Sequence, residues 1–164
     1  MNSEVKSTVE PTQIVTFTLG DEVFAADVFS VERILAYVPP IPLAGAPDWI
    51  VGMIRYQRRR VPVINLRRRF EMAAAQPSDR ARTIVFSIEG EWVGAVADSV
   101  RDVIVLDRAH LSEPSQVFRG LAAEHMHGIL RQGEELIAYL NVAELLSAAE
   151  RNLLREIMRP PATS

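Results

Sequence analysis

The chain has 164 residues, 48% of them hydrophobic and 24% charged, with a net charge of −3 and no cysteine. That length suits one domain with a true core, or two small sub-domains sharing an interface. The composition excludes a disulfide frame, a thiol nucleophile and a cysteine zinc site, weighs against a dedicated nucleic-acid binder, and offers no apolar run near the ~20 residues that span a bilayer.

Residues 1–12 read as a disordered leader. Met1–Pro11 is polar and has no apolar stretch of the signal-peptide kind, so the expected setting is cytoplasmic. Ile14–Leu19 alternates, with Val15, Phe17 and Leu19 on one face and Thr16 and Thr18 on the other. Gly20-Asp21 marks a turn, and Val23–Ala26 returns as the partner strand. Asp27 is placed to cap a short helix whose inner side carries Val28, Val31, Ile34 and Leu35. Pro39, Pro40, Pro42 and Pro47 then enforce extended chain. Ile50–Tyr56 and Val61–Ile64 form a hairpin about a Gln57–Arg60 turn, with Pro62 expected at an edge or bulge. Asn65 caps a helical turn in which Leu66 and Phe70 share a face.

Glu71–Arg82 is a polar connector and the expected boundary between sub-domains 13–75 and 80–140. The alternation restarts at Ile84, Phe86 and Ile88, turns at Glu89-Gly90 and returns over Trp92–Ala97. Val100–Leu106 is a further strand, and Asp107–Glu124 reads as loop. His125–Leu130 and Leu136–Leu140 form a second hairpin. Asn141 is placed to cap a C-terminal helix over 142–158, with 159–164 as a tail.

The two hairpins repeat. Gly52-Met53-Ile54-Arg55 matches Gly128-Ile129-Leu130-Arg131, and Val63-Ile64-Asn65-Leu66 matches Tyr139-Leu140-Asn141-Val142, both at an offset of 76. Halves of this size are marginal alone, so they should bury apolar surface on each other. Short strands with polar turns suggest two small barrels rather than one open sheet.

Catalytic motifs are missing: there is no phosphate loop, no H-E-x-x-H and no G-x-S-x-G. His125 and His127 share a strand face and form a conceivable metal pair, but no third ligand has fitting spacing, and two surface histidines are the plainer reading. No catalytic residue, metal or cofactor is assigned. Seven of the eighteen basic residues lie between Arg55 and Arg69. Such a basic patch suits phosphate, carboxylates of a protein partner, or nothing beyond solvent. Only Tyr56 offers an aromatic beside it, so the stacking platform of a single-strand binder is lacking. Trp49 and Trp92 read as core.

Five stretches, taken in order, resemble the CheW-type coupling proteins of bacterial chemotaxis: F-T-L-G-D-E-V-F-A-A-D-V at Phe17–Val28, A-P-D-W-I-V-G-M-I at Ala46–Ile54, V-P-V-I-N-L-R-R-R-F at Val61–Phe70, V-G-A-V-A-D-S-V at Val93–Val100, and H-G-I-L near Gly128. The resemblance spans about Ile14 to Leu146. It implies a mainly β fold of two five-stranded SH3-like barrels, with a few short helices and a C-terminal helix. It also implies a non-enzymatic adaptor joining the cytoplasmic tip of methyl-accepting chemoreceptors to the regulatory domain of a CheA-type histidine kinase. In that frame Val31, Ile34, Val100 and Val103 line a receptor groove, and Arg33, Gln57, Arg58 and Arg59 face the kinase or another partner. Nucleic acid and direct membrane insertion are not expected. Departures fall on this second group. Arg33 stands where the family usually has Glu, Gln57 where it has Arg, and Arg58 where it has a turn glycine. A divergent paralogue with a different protein partner, and a nucleic-acid module using the Arg-rich hairpin, are the alternatives.

Overall fold

The computed structural model describes residues 11–114 and 123–159. Most of the leader, the tail from residue 160 and part of the 107–124 stretch lie outside the described residues. Eleven strands are described: β1 (Gln13–Leu19), β2 (Glu22–Asp27), β3 (Val31–Ala36), β4 (Ile50–Tyr56), β5 (Arg59–Ile64), β6 (Arg82–Ile88), β7 (Glu91–Ala97), β8 (Ser99–Val105), β9 (Leu111–Ser112), β10 (Met126–Gln132) and β11 (Glu135–Leu140). Two α-helices accompany them, α1 (Leu66–Arg69) and α2 (Ala148–Met158).

The strands form two sheets, ordered β8-β1-β2-β11-β10-β9 and β3-β6-β7-β5-β4. The protein is mainly β, as expected. The ladders correct the finer picture: one sheet has six strands rather than five, and neither closes on itself among the described residues. Nor do the sheets divide at the polar connector. β1 and β2 join strands from the far end of the chain, while β3 to β7 build the other sheet alone.

The sequence repeat explains this exchange. β1, β2 and β3 match β6, β7 and β8 at an offset of 69, and β4 and β5 match β10 and β11 at 76. Registers match as well. β3 pairs with β6 through Val31↔Phe86 and Ile34↔Ile84, and β8 pairs with β1 through Val100↔Phe17 and Val103↔Val15. Each half therefore gives its third strand to the other half's first strand. The hairpins are exchanged too. β5 runs parallel to β7 through Val63↔Gly94, and β11 runs parallel to β2 through Ala138↔Phe24.

The main core lies between the sheets. It takes Val15, Phe17, Leu19, Phe24, Ala138 and Leu140 from one sheet and Ile64, Ile84, Phe86, Ile88 and Val93 from the other. Phe70, just beyond α1, stacks on Phe24 with ring centroids 5.3 Å apart, and Phe24 lies 5.8 Å from Phe17. Truncating one such buried ring to Ala typically costs about 3–5 kcal/mol. The opposite face of the six-stranded sheet buries Ile14, Val23, Ala25, Leu130, Ile137 and Tyr139. β2 and β11 are thus covered on both sides, which is why they read as continuous apolar runs.

Four local expectations are corrected. Asp27 starts no α-helix: a 3₁₀ turn at Val28–Ser30 leads straight into β3. The Asp27 carboxylate is used elsewhere, accepting the Tyr139 hydroxyl at 2.6 Å, and β-branched Val31 and Ile34 are held by pairing with β6. Asn141 makes no side-chain cap; Ser147 and Glu150 form the capping box of α2, so the C-terminal helix begins later than 142. Pro62 lies on an interior strand, but the parallel pairing to β7 begins only at Val63, so its missing N–H disrupts no bond there. The 107–124 stretch also contains β9, which pairs with β10.

Candidate functional site

Two regions gather the residues singled out from sequence. The first is apolar. Val31 and Ile34 lie on β3, Val100 and Val103 on β8, and both strands are sheet edges. Directly opposed residues of an antiparallel pair point to the same face. The partners Phe86, Ile84, Phe17 and Val15 all belong to the main core, so the four side chains face inward from edge strands that outrun it. Val31 and Val100 pack on the core, whereas Ile34 is 37% exposed and Val103 58%. The repeat makes these residues two equivalent pairs bordering one core. The sequence reading missed Phe29, 86% exposed in the turn that leads into β3.

The second region is cationic and aromatic. Gln57 and Arg58 form the two-residue turn between β4 and β5, since Tyr56 pairs with Arg59. The turn is therefore shorter than the expected Gln57–Arg60. Arg33 reaches across from β3 and donates through Nε to the Tyr56 hydroxyl at 2.9 Å. The Tyr56 ring lies 5.2 Å from that of Trp92, and the Arg59 guanidinium sits 3.8 Å over the Trp92 ring. Arg33, Gln57, Arg58 and Arg59 thus share one corner. Trp92, expected in the core, is half-buried and serves as a platform for Arg59. Its alternation with Val93 and Ala95 was the available signal, because it turns Trp92 away from the core face.

Arg67, Arg68 and Arg69 do not join this corner. Arg67, 17% exposed in its side chain, pairs with Asp98 and also donates to the Ala73 carbonyl at 2.7 Å. Arg68 pairs with Asp48 at 2.6 Å. Arg69, 15% exposed, makes two bonds to Glu150 at 3.1 and 2.9 Å and so ties α1 to α2. Three of the seven arginines anticipated for a phosphate or partner surface are therefore spent on ion pairs within the chain. His125 lies just before β10, with Nδ1 2.9 Å from the Glu144 carbonyl, while His127 packs on Tyr139 at 4.8 Å. Among the described residues no three His, Asp or Glu side chains are grouped as a metal site would need.

Comparison with known proteins decides the family. The CheW-like domain matches residues 13–150. The chain belongs to the CheW-like family. The chemotaxis protein CheW of Treponema pallidum is similar, 29% identical over 152 residues that cover 90% of this chain and 89% of that protein. CheW of Klebsiella aerogenes is 28% identical over 147 residues, with the same coverage. Protein FrzA of Myxococcus xanthus is 30% identical over 113 residues, covering 67% of this chain and 69% of FrzA. A crystal structure of the scaffolding protein TtCheW from Thermoanaerobacter tengcongensis superposes with a TM-score of 0.77 at 26% identity, covering 85% of this chain and 90% of that one. The residues expected to depart from the family pattern, Arg33, Gln57 and Arg58, all lie at the cationic corner. No helix among the described residues is long and apolar enough to cross a membrane.

Proposed function

We propose that this chain is a non-catalytic adaptor of chemotaxis-type signalling, coupling chemoreceptor cytoplasmic tips to the regulatory domain of a CheA-type histidine kinase in the cytoplasm. The observation that carries this reading is the family match across residues 13–150, with relatives named as chemotaxis and scaffolding proteins. The two sheets are read as two SH3-like barrels. Arg33 on β3 bonding Tyr56 on β4 supports this, because it draws together the two edges of one sheet.

In this reading the strips Val31/Ile34 and Val100/Val103 take the apolar face of a receptor helix hairpin. The corner at Arg33, Gln57, Arg58 and Arg59 takes the kinase regulatory domain, and its altered charges tune the chain to a particular partner. Each contact is small, and an array of such contacts gains strength by multivalency. Signal passes as a change in docking rather than as a chemical step.

Titration calorimetry with the two partner fragments tests this. Ile34→Asp with Val103→Asp should weaken the receptor fragment at least tenfold and leave the kinase fragment unchanged. Arg33→Glu with Gln57→Arg should strengthen binding to the regulatory domain of a CheA from a standard chemotaxis system. Unchanged affinities in both experiments would remove the assignment.

A further inference from the structure

The two edges of the five-stranded sheet, β3 and β4, approach each other without pairing. The seam between them is fastened at two points. The Arg33–Tyr56 hydrogen bond closes one end, and at the other Ile41, in the loop after β3, exchanges two backbone bonds of 2.8 Å with Met53. Between these points lies a pocket of about 400 Å³, separate from the apolar strips and the cationic corner. Leu35, Val38, Ile41, Met53 and Ile54 line it, with Thr83, which opposes Leu35 and is 2% exposed, as its deepest wall. Val38 is 60% exposed and Ile41 53%, so the mouth itself is apolar. One charge stands in the lining. Arg55 is exposed and makes no hydrogen bond or ion pair among the described residues. Directly across the hairpin is Arg60, whose Nε donates to the thioether of Met53, a weak acceptor. Like charges set opposite each other repel, and neither arginine has a carboxylate partner among the described residues. The hairpin thus holds uncompensated positive charge beside an apolar pocket.

We infer that this pocket binds an amphipathic carboxylate, a medium-chain acyl anion whose tail fills the seam and whose head pairs with Arg55. The volume falls in the range of small-molecule sites, which combine apolar walls with a few polar groups. A guanidinium matches a carboxylate through two parallel bonds. The duplication supplies a contrast. A pocket of about 450 Å³ occupies the equivalent place in the other half, with Leu130 and Arg131 where the first has Ile54 and Arg55. Its lining includes Asp107, the counterpart of Val38, with the carboxylate 2.9 Å from the His110 ring. A fixed carboxylate there opposes an anionic head, so one site is filled per chain. This does not rest on the adaptor reading.

Titration calorimetry on the full chain tests it, with decanoate as the probe. Decanoate should bind saturably at one site per chain, and hexanoate, with a shorter tail, more weakly. Decylammonium, with the same tail and the opposite charge, should not bind. Arg55→Gln should weaken decanoate at least tenfold, and Val38→Asp, which copies the second pocket, should do the same. Both positions are exposed, so circular dichroism should show an unchanged fold. Arg131→Gln should leave decanoate affinity as it is. Absence of saturable decanoate binding, equal binding of decylammonium, or an Arg55→Gln or Val38→Asp variant that binds like wild type overturns the inference, as does a matching loss in Arg131→Gln. Receptor- and kinase-fragment affinities measured without decanoate test the adaptor reading separately.

Discussion

Gln57 and Arg58 occupy the left-handed region in succession, the geometry of a two-residue hairpin turn that Asn-Gly fits best. For residues with a Cβ this costs about 1–2 kcal/mol each. Gln57→Asn with Arg58→Gly should therefore raise stability in urea unfolding by about 1–2 kcal/mol, while weakening binding at the corner. The turn's existence was legible in the sequence, since apolar strands flank a polar gap. Its length was not, because Arg59 and Arg60 look like turn residues until Arg59 is seen paired with Tyr56 and stacked on Trp92.

Among elements, α2 shows how a peripheral helix is fastened. Leu154 enters the core, while Arg69 holds Glu150, and Arg151 and Arg155 reach Glu89 in the β6–β7 turn and Glu91 at the start of β7. Burial pushes the Glu150 carboxyl up, but the bonds from Arg69 and Ser147 outweigh it and hold its pKa below the ordinary carboxylate value. The folded pKa is depressed, so the stabilisation is present above the unfolded pKa and is lost as pH falls through the folded one. Glu150→Gln should lower Tm at neutral pH, and the gap from wild type should close on acidification. Ser147→Ala, removing the cap, should cost about 1 kcal/mol in thermal unfolding. The α2 start was misplaced at Asn141 because Asn141-Val142-Ala143-Glu144 reads as a cap with Glu at N3, yet Asn141 makes no side-chain cap, unlike its equivalent Asn65, whose side chain accepts from the Arg68 N–H. The two asparagines share a backbone bond instead: Asn65 N–H to the Trp49 carbonyl, and Asn141 N–H to that of His125, each at 2.9 Å. The Asp27–Leu35 segment was misread as a helix for a related reason. Its apolar spacing fits a helix locally, but pairing with β6, some fifty residues away, decides the conformation.

At the scale of the whole molecule, the duplication organises both fold and surface. Gly52 and Gly128 are equivalent positions beside a bulge, and a Cβ on either would fall 2.3 Å from a carbonyl oxygen, Ile41 O and Ser112 O respectively. Gly52→Ala and Gly128→Ala should therefore each destabilise by about 1–3 kcal/mol and to a similar degree, as measured by thermal unfolding. Likeness between Gly52-Met53-Ile54-Arg55 and Gly128-Ile129-Leu130-Arg131 was plain in the sequence. Which half each hairpin pairs with was not, since the β5–β7 and β11–β2 contacts are short parallel joins between distant segments, and sequence likeness marks equivalence without marking neighbours. The apolar positions Val31, Ile34, Val100 and Val103 came with the family resemblance, Val31 and Ile34 having been read on a helix, whereas the Arg33–Tyr56–Trp92–Arg59 corner needed the fold to bring β3, β4, β5 and β7 together. Adaptor function requires both surfaces to be occupied at once. The direct test is sedimentation of the chain with a receptor-tip hairpin and a kinase regulatory domain together. A ternary complex should form, lose only the receptor fragment in Ile34→Asp/Val103→Asp, and lose only the kinase fragment in Arg58→Glu/Arg59→Glu. Two mutually exclusive binary complexes, or variants that lose both partners together, would contradict the account.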